Sequence, residues 1–235
     1  MTETITYTQL RPTARVSGAI YLLLFVSGIF AEFFVRSSLI VPGDAMETAA
    51  RILASPMLFR SGIVMDLVMI IADIALAVLF FELLKPVNRM LAALAAAFRF
   101  AQAAVLAFNL LNLYFVLELL SGTGYLAALG AGQLEALSLF FATMHGTGYA
   151  LGLVFFGVSL AMVGYLTWKA DYLPTILGIL LMVAAVGYLA DSFARTLLIE
   201  YDRYAPIFDT AVFMPAFVAE LAMSLYLLIR GVRRS

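Results

Sequence analysis

Residues 64–78 read VMDLVMIIADIALAV, a run apolar enough for a lipid interior that nevertheless carries Asp66 and Asp73. The two carboxylates are seven residues apart, about two helical turns, so a helix through this stretch presents both on nearly one face. Apolar residues continue outward to about residue 60 on one side and residue 84 on the other. That length exceeds the roughly 20 residues with which a helix crosses a hydrocarbon core. The apolar/polar alternation of a barrel strand is missing. The stretch therefore predicts a membrane-crossing helix, and the fold follows from its repetition.

Five further runs of the same kind place spans near residues 14–38, 60–84, 90–119, 136–168, 173–198 and 206–230. Breaks between them fall at Pro42-Gly43, Lys85-Pro86, Ser121-Gly122-Thr123-Gly124, Pro174 and Pro206. The fourth run is longer than a straight crossing requires, which predicts tilt, projection, or a break near Gly146 and Gly148. Composition agrees: the 235 residues are 64% hydrophobic and 12% charged, with mean hydropathy +1.04. A soluble domain carries about 25% charged residues. The expected fold is an all-α membrane protein, a six-helix transmembrane bundle forming a single domain over residues 1–235.

Composition also excludes. Net charge is −1 and no basic cluster resembles a nucleic-acid surface, so nucleic acid is not an expected partner. Cysteine is absent, which removes disulfides, iron–sulfur ligation and thiol nucleophiles. With one histidine besides, a zinc site is disfavoured, bis-histidine haem is ruled out, and no cofactor or metal is expected. No G-x-S-x-G, H-E-x-x-H, Walker or G-x-G-x-x-G motif is present, so the enzyme question leans to no. The N-terminal MTETITYTQLRPTAR is polar, and the apolar run behind it is too long for a signal-peptide core; it is expected to be an uncleaved first span.

Six crossings put both termini on one side. That side holds Arg11, Arg15, Lys85, Arg89, Lys169, Arg230, Arg233 and Arg234, against Arg36, Arg51, Arg60, Arg195 and Arg203 on the other. Positive charge favours the cytoplasmic face, so the termini are expected there. In the first outer loop, DAMETAARIL (44–53) opens with a D-x-x-E variant of the capping box at Asp44 and Glu47. Met46, Ala49, Ala50 and Leu53 share a face of the short helix this predicts, which rests on the membrane surface or lids an outward cavity.

Residues 28–40, GIFAEFFVRSSLI, and 187–199, GYLADSFARTLLI, agree as G-x-x-A-[ED]-x-F-x-R-[ST]-x-L-I. ADIALAVLF (72–80) and AELAMSLYL (219–227) agree more weakly and pair Asp73 with Glu220. Spans one–two and five–six thus resemble copies related by a pseudo-two-fold axis along the membrane normal. Shared helical composition is the competing account.

Depth groups the charges. At 1.5 Å per residue Asp73 lies about 20 Å below the outer end of its span, with Glu220 and Arg99 at about the same level. These three are expected to meet near the bilayer centre, with Gln102 and Asn109 extending the stripe along span three. A charge that deep is costly and faces protein or water, as a functional group or as a structural pair. Two acids against one arginine leave one acid expected to carry a proton, making a proton or cation site. Further out, Glu32–Arg36 and Asp191–Arg195 are i,i+4 pairs able to bridge on their own helices, or crosswise under the pseudo-symmetry. They fix helix orientation or attract an anionic group. His145, in MHGTGYALGLVFFG (144–157), is expected to be packed and bonded to a carboxylate; an acid–base role with Asp66 or Asp191 is the alternative. Gly146, Gly148 and Gly152 fit close helix packing better than phosphate binding.

Several segments carry a resemblance: RVSGAIYLLLFVSGIFAEFFVR (15–36), LIVPGDA (39–45), LFRSGIVMDLVMIIADIALAVLFFELLKPVN (58–88) and GYLTWKADYLPTILGILL (164–181) before GYLADSF (187–193). With these the chain resembles the bacterial membrane proteins of domain-of-unknown-function family 4386. The resemblance implies an all-helical inner-membrane protein and carries over no activity and no site residue.

The function expected from the residues is binding or transport of a small polar solute, ion or lipid-like ligand. The cavity would be lined by Asp66, Asp73, Arg99, Asn109, His145, Asp191 and Glu220, with Arg99 as counter-ion or anchor. An intramembrane enzyme using His145, or a structural or accessory subunit with fully paired charges, are the alternatives. The lipid bilayer is the one firm partner, and the oligomeric state is left open.

Overall fold

The computed structural model describes residues 7–233, and among these there are helices and turns but no strand. Six helical segments are long and apolar enough to cross a membrane: Leu10–Leu39, Pro56–Leu84, Arg89–Leu119, Ala131–Lys169, Thr175–Leu197 and Arg203–Ile229. They are spans one to six, and they coincide with the six expected runs to within a few residues. Arg234, counted above for orientation, lies outside the described residues.

Of the outcomes expected for span four the break is not taken, and two irregularities elsewhere depart from the expected pattern. Span four does not break at Gly146 or Gly148; it is one helix of 39 residues. Its length of about 58 Å against a hydrocarbon core of about 30 Å leaves tilt or projection to absorb the excess. A break in lipid would strand backbone groups, whereas glycine within a helix costs only about 1 kcal/mol. Span three is interrupted instead, between Arg89–Asn109 and Leu111–Leu119. There Leu113 N–H turns to the Leu110 carbonyl at 3.0 Å, and the Asn109 carbonyl takes a hydrogen bond from Asn112 Nδ2 at 3.2 Å. The sixth helix starts at Tyr201, so Pro206, expected as a break, lies inside it. One turn past a helix start, proline removes a single internal bond, which membrane helices tolerate.

Span one changes pitch where its motif begins. It is α-helical over Tyr7–Ile29, π-helical over Phe30–Arg36, and α-helical again over Ser37–Leu39. The corresponding residues of span five stay within one α-helix, Thr175–Leu197. The outer loop forms the expected short helix, Ala45–Ala54, and Asp44 Oδ1 accepts the Glu47 N–H at 2.9 Å. Only half of the capping box is made, because the Glu47 carboxylate turns to Arg51 at 2.7 Å. Thr48, Ala49 and Ile52 are its buried side; of the four residues expected on one face, Met46, Ala50 and Leu53 are exposed together and Ala49 is buried.

The chain packs as two compact units, and spans one to four each contribute part of their length to both. Unit one comprises the chain up to Phe25, Ile71–Ala103, and the chain from Ala150 onward. Its core includes Leu76, Leu83, Leu160, Leu181, Ala219 and Met223. Span one approaches span six closely there: a Cβ at Gly18 would stand 2.2 Å from the Leu228 nitrogen. Small residues at such crossings let backbones make dispersion contacts, which substitute for the hydrophobic effect inside lipid. Hydrogen bonds from Ser159 to the Ala95 carbonyl, 2.8 Å, and from Tyr172 to the Leu83 carbonyl, 2.7 Å, tie neighbouring helices. Unit two comprises Val26–Ile70 and Ala104–Tyr149. Within it, Thr48 anchors the short helix, accepting from Val41 N at 2.9 Å and donating to Val41 O at 3.2 Å.

Candidate functional site

In unit one, span two supplies Asp73 and span three supplies Arg99, both at most 3% exposed as side chains. Arg99 Nε donates to Asp73 Oδ1 at 2.5 Å. Three aromatic rings surround the guanidinium, whose carbon lies 5.0 Å from the Phe156 centroid, 5.8 Å from Tyr21 and 5.9 Å from Phe80. Such rings attract a cation through their quadrupoles and exclude water from it. They accept no conventional hydrogen bond. Among the described residues Arg99 Nη1 and Nη2 therefore have no acceptor, and Asp73 Oδ2 has no donor. Beside Arg99 a crevice of about 10 Å³ is lined by Ala77, Ala92, Ala95, Ala96 and Ser159, among others. That is room for about one water.

Glu220 on span six is 5% exposed and makes no ion pair among the described residues. Two phenols hold it instead. Tyr21 donates to Oε2 at 3.2 Å and Tyr188 to Oε1 at 2.6 Å. Tyr21 thus joins the two halves of the site, with its hydroxyl on Glu220 and its ring facing Arg99. Gln102, three residues beyond Arg99, is buried, and its Oε1 has no donor among the described residues. Asp191 belongs to a separate group: it accepts from Arg195 Nε at 2.9 Å and from Tyr201 at 2.5 Å, and the Arg195 guanidinium lies 4.6 Å from the Tyr201 ring.

Unit two holds the other pair. Arg36 leaves the π-helical turn with its Nε on Glu32 at 2.8 Å and its Nη1 on Asp66 at 2.5 Å. Asp66 is 2% exposed at its side chain and Glu32 is 53% exposed, so one guanidinium bridges a buried acid and an exposed one. Asn109 Nδ2 donates to the His145 main-chain carbonyl at 2.8 Å. Glycine at 148 makes room for this amide, since a Cβ there would stand 2.0 Å from Asn109 Oδ1. At Gly146 a Cβ would meet nothing within 4 Å. The His145 ring is buried beside Tyr149, 6.2 Å between centroids, and has no carboxylate partner among the described residues. The carboxylate expected for it goes to Arg36.

Of the candidates, then, Asp73 and Arg99 touch, Glu220 is linked to them through Tyr21, and Asp66, Asn109 and His145 fall in the other unit. Both outer arginines bridge on their own helices. Asp73 and Glu220, the positions that the sequence likeness pairs, have different partners, an arginine in one case and two tyrosines in the other. Tyr21, Tyr188, Phe80 and Phe156 were not singled out from sequence. Among 11 tyrosines and 19 phenylalanines, nothing in a single chain marks those that face inward. Among the described residues no three acidic or histidine side chains could hold a metal ion.

Six apolar spans with ion pairs buried between them define a multi-pass helical membrane protein. The chain belongs to the family described as "Domain of unknown function (DUF4386)", whose profile matches residues 16–231. It is similar to an uncharacterized protein of Archaeoglobus fulgidus, 27% identical over 166 residues, which is 71% of this chain and 81% of that protein. No solved structure matches.

Proposed function

We propose that the protein binds a small polar solute, ion or lipid-like ligand inside the membrane and carries it across, with Arg99 as the anchor and Asp73 as its counter-ion. One observation carries this reading: Arg99 is 1% exposed and lines a crevice, yet two of its three nitrogens lack an acceptor among the described residues. An unsatisfied donor inside a membrane costs several kcal/mol, about as much as a ligand acceptor would return. The guanidinium fork favours a solute bearing a carboxylate or another acceptor oxygen. Because the crevice has room for about one water, the spans around it part to admit such a solute.

The same reading sets the protein in a bacterial inner membrane with cytoplasmic termini, following the distribution of basic residues. Spans one–two and five–six are then duplicated elements, and the polar cavity is the one around Arg99 in unit one. The experiment is reconstitution into lipid vesicles, with binding and uptake of small carboxylates, inorganic anions and cations compared across wild type, Asp73→Asn and Arg99→Met. The expected result is a solute taken up by wild type and lost in both variants. Indistinguishable behaviour of all three toward every solute overturns the proposal.

A second reading, a structural or accessory subunit, draws support from Asp66 and Asp191, each held by an arginine of the same unit. Co-purification of a stoichiometric partner that Asp66→Asn releases would favour it. The enzyme reading lacks an acid–base pair, since the His145 ring has no carboxylate beside it among the described residues.

A further inference from the structure

Among the described residues, Glu220 differs from the other acids buried in the spans. Asp66 and Asp73 each face an arginine at 2.5 Å, and Asp191 faces one at 2.9 Å. Glu220 faces two phenols. A carboxylate without a cation in a membrane interior is costly, and there are three ways to compensate it: a basic side chain, a metal ion or a proton. Arg99 places its direct contact on Asp73, through Nε, and makes no ion pair with Glu220 in this arrangement. A hard metal cation takes about six or more oxygen ligands, whereas the carboxylate and two phenols supply four oxygens, and among the described residues no three acidic or histidine side chains could hold a metal ion. The proton remains.

We propose that Glu220, clamped between Tyr21 and Tyr188, is the proton-binding group of this site, while Asp73 stays an anion paired with Arg99. The inference deepens the reading above by naming the ion coupled to the solute, and rests on it for that role. The clamp suits both states. A phenol either donates or accepts, according to the rotation of its hydroxyl. With Glu220 ionised, both phenols donate to it. With Glu220 protonated, the acid donates to one phenol and accepts from the other, so the same heavy atoms stay hydrogen-bonded. Release converts the carboxylic acid to a carboxylate and passes one proton to water, and the local charge falls by one unit.

Each neighbouring element has a defined part. Span one brings Tyr21 and span five Tyr188, span two and span three bring the through-space charges of Asp73 and Arg99, and span four presents the apolar ring of Phe156 against Tyr188. Proton loss leaves two anions near one arginine whose Nη atoms lack acceptors. That arrangement draws Arg99 between its two acids and so alters the crevice it borders. This is the link between proton and solute.

The test is infrared difference spectroscopy of the protein in lipid vesicles through a pH titration, with no solute added. The expected result is a carbonyl stretch of a protonated carboxylic acid that shifts down in heavy water and vanishes in Glu220→Gln. In Tyr188→Phe, which removes one hydrogen bond, the stretch moves to higher frequency. A wild-type titration lacking the stretch, its survival in Glu220→Gln, or an unmoved frequency in Tyr188→Phe overturns the proposal. Because the spectrum is read without solute, a failed uptake experiment leaves the proton site standing, and a missing stretch leaves solute binding by Arg99 intact.

Discussion

Arg99 donates to Asp73 through Nε alone, at 2.5 Å, although its planar fork could engage a carboxylate through two nitrogens. The single contact leaves Nη1 and Nη2 without an acceptor among the described residues, while the rings of Tyr21, Phe80 and Phe156 stand 5.8, 5.9 and 5.0 Å from the guanidinium carbon. Charge is balanced at this pair while hydrogen bonding is not. A purely structural ion pair gains nothing from that imbalance, whereas a binding site needs it.

Truncating one member of the pair is therefore expected to cost more than replacing both. Asp73→Ala leaves a guanidinium buried without a counter-ion, a change that typically costs about 3–5 kcal/mol. The double variant Asp73→Leu with Arg99→Met removes both charges at similar volume and is expected to recover most of that loss. Unfolding in mixed micelles measures the two, and the double variant should lose uptake while keeping its fold.

Arg36 offers an internal comparison, because it holds two acids of unequal burial. Glu32 is more than half exposed, so Glu32→Gln is expected to change stability by no more than about 1 kcal/mol. Asp66→Ala strands the buried end of the same guanidinium and is expected to cost about 3–5 kcal/mol. Equal losses in the two variants would mean that the π-helical turn, rather than Asp66, sets the position of Arg36.

The spans were legible because lipid imposes a length and a hydropathy that a chain cannot disguise, and residues 64–78 already carried both. Asp66 and Asp73 were legible as buried charges for the same reason. Their partners were less so. Helix periodicity relates Arg36 to Glu32, four residues away, but says nothing of Asp66, 30 residues away on another span. Depth along the helices placed Arg99 level with Asp73, yet depth alone cannot say which side of a helix faces which neighbour. The tyrosines on Glu220 are separated from it by 199 and 32 residues, and phenols suit lipid interfaces as well as interiors. The interruption at Leu110 was hidden because Asn112 repairs it through a side chain, without proline or glycine to announce it.

Gly148 and Asn109 form a steric couple that a double-mutant cycle can read. In Gly148→Ala the new methyl group collides with the Asn109 amide, which must abandon the His145 carbonyl. Overpacking of this kind costs about 1–3 kcal/mol. In an Asn109→Ala background the collision is gone, and Gly148→Ala should be neutral or slightly stabilising because alanine is the better helix former. The coupling energy expected from unfolding measurements is therefore large and of one sign. Additive effects would place the Asn109 side chain elsewhere.

The short helix after the first span allows protein contact and lipid contact to be separated at adjacent positions. Ile52 is 1% exposed and Leu53 is 57% exposed, although both are large and apolar. An apolar residue turned outward beside a membrane span gains stability only from the lipid it meets. Ile52→Ala is expected to lower stability by about 2–5 kcal/mol in micelles and bilayers alike, since the lost contacts are internal. Leu53→Ala should be nearly neutral for unfolding, within about 0.5 kcal/mol. A tryptophan placed at Leu53 should be quenched by brominated lipids, and one placed at Ile52 should not. Quenching at neither position would lift this helix off the bilayer surface and leave Met46 and Leu53 facing water.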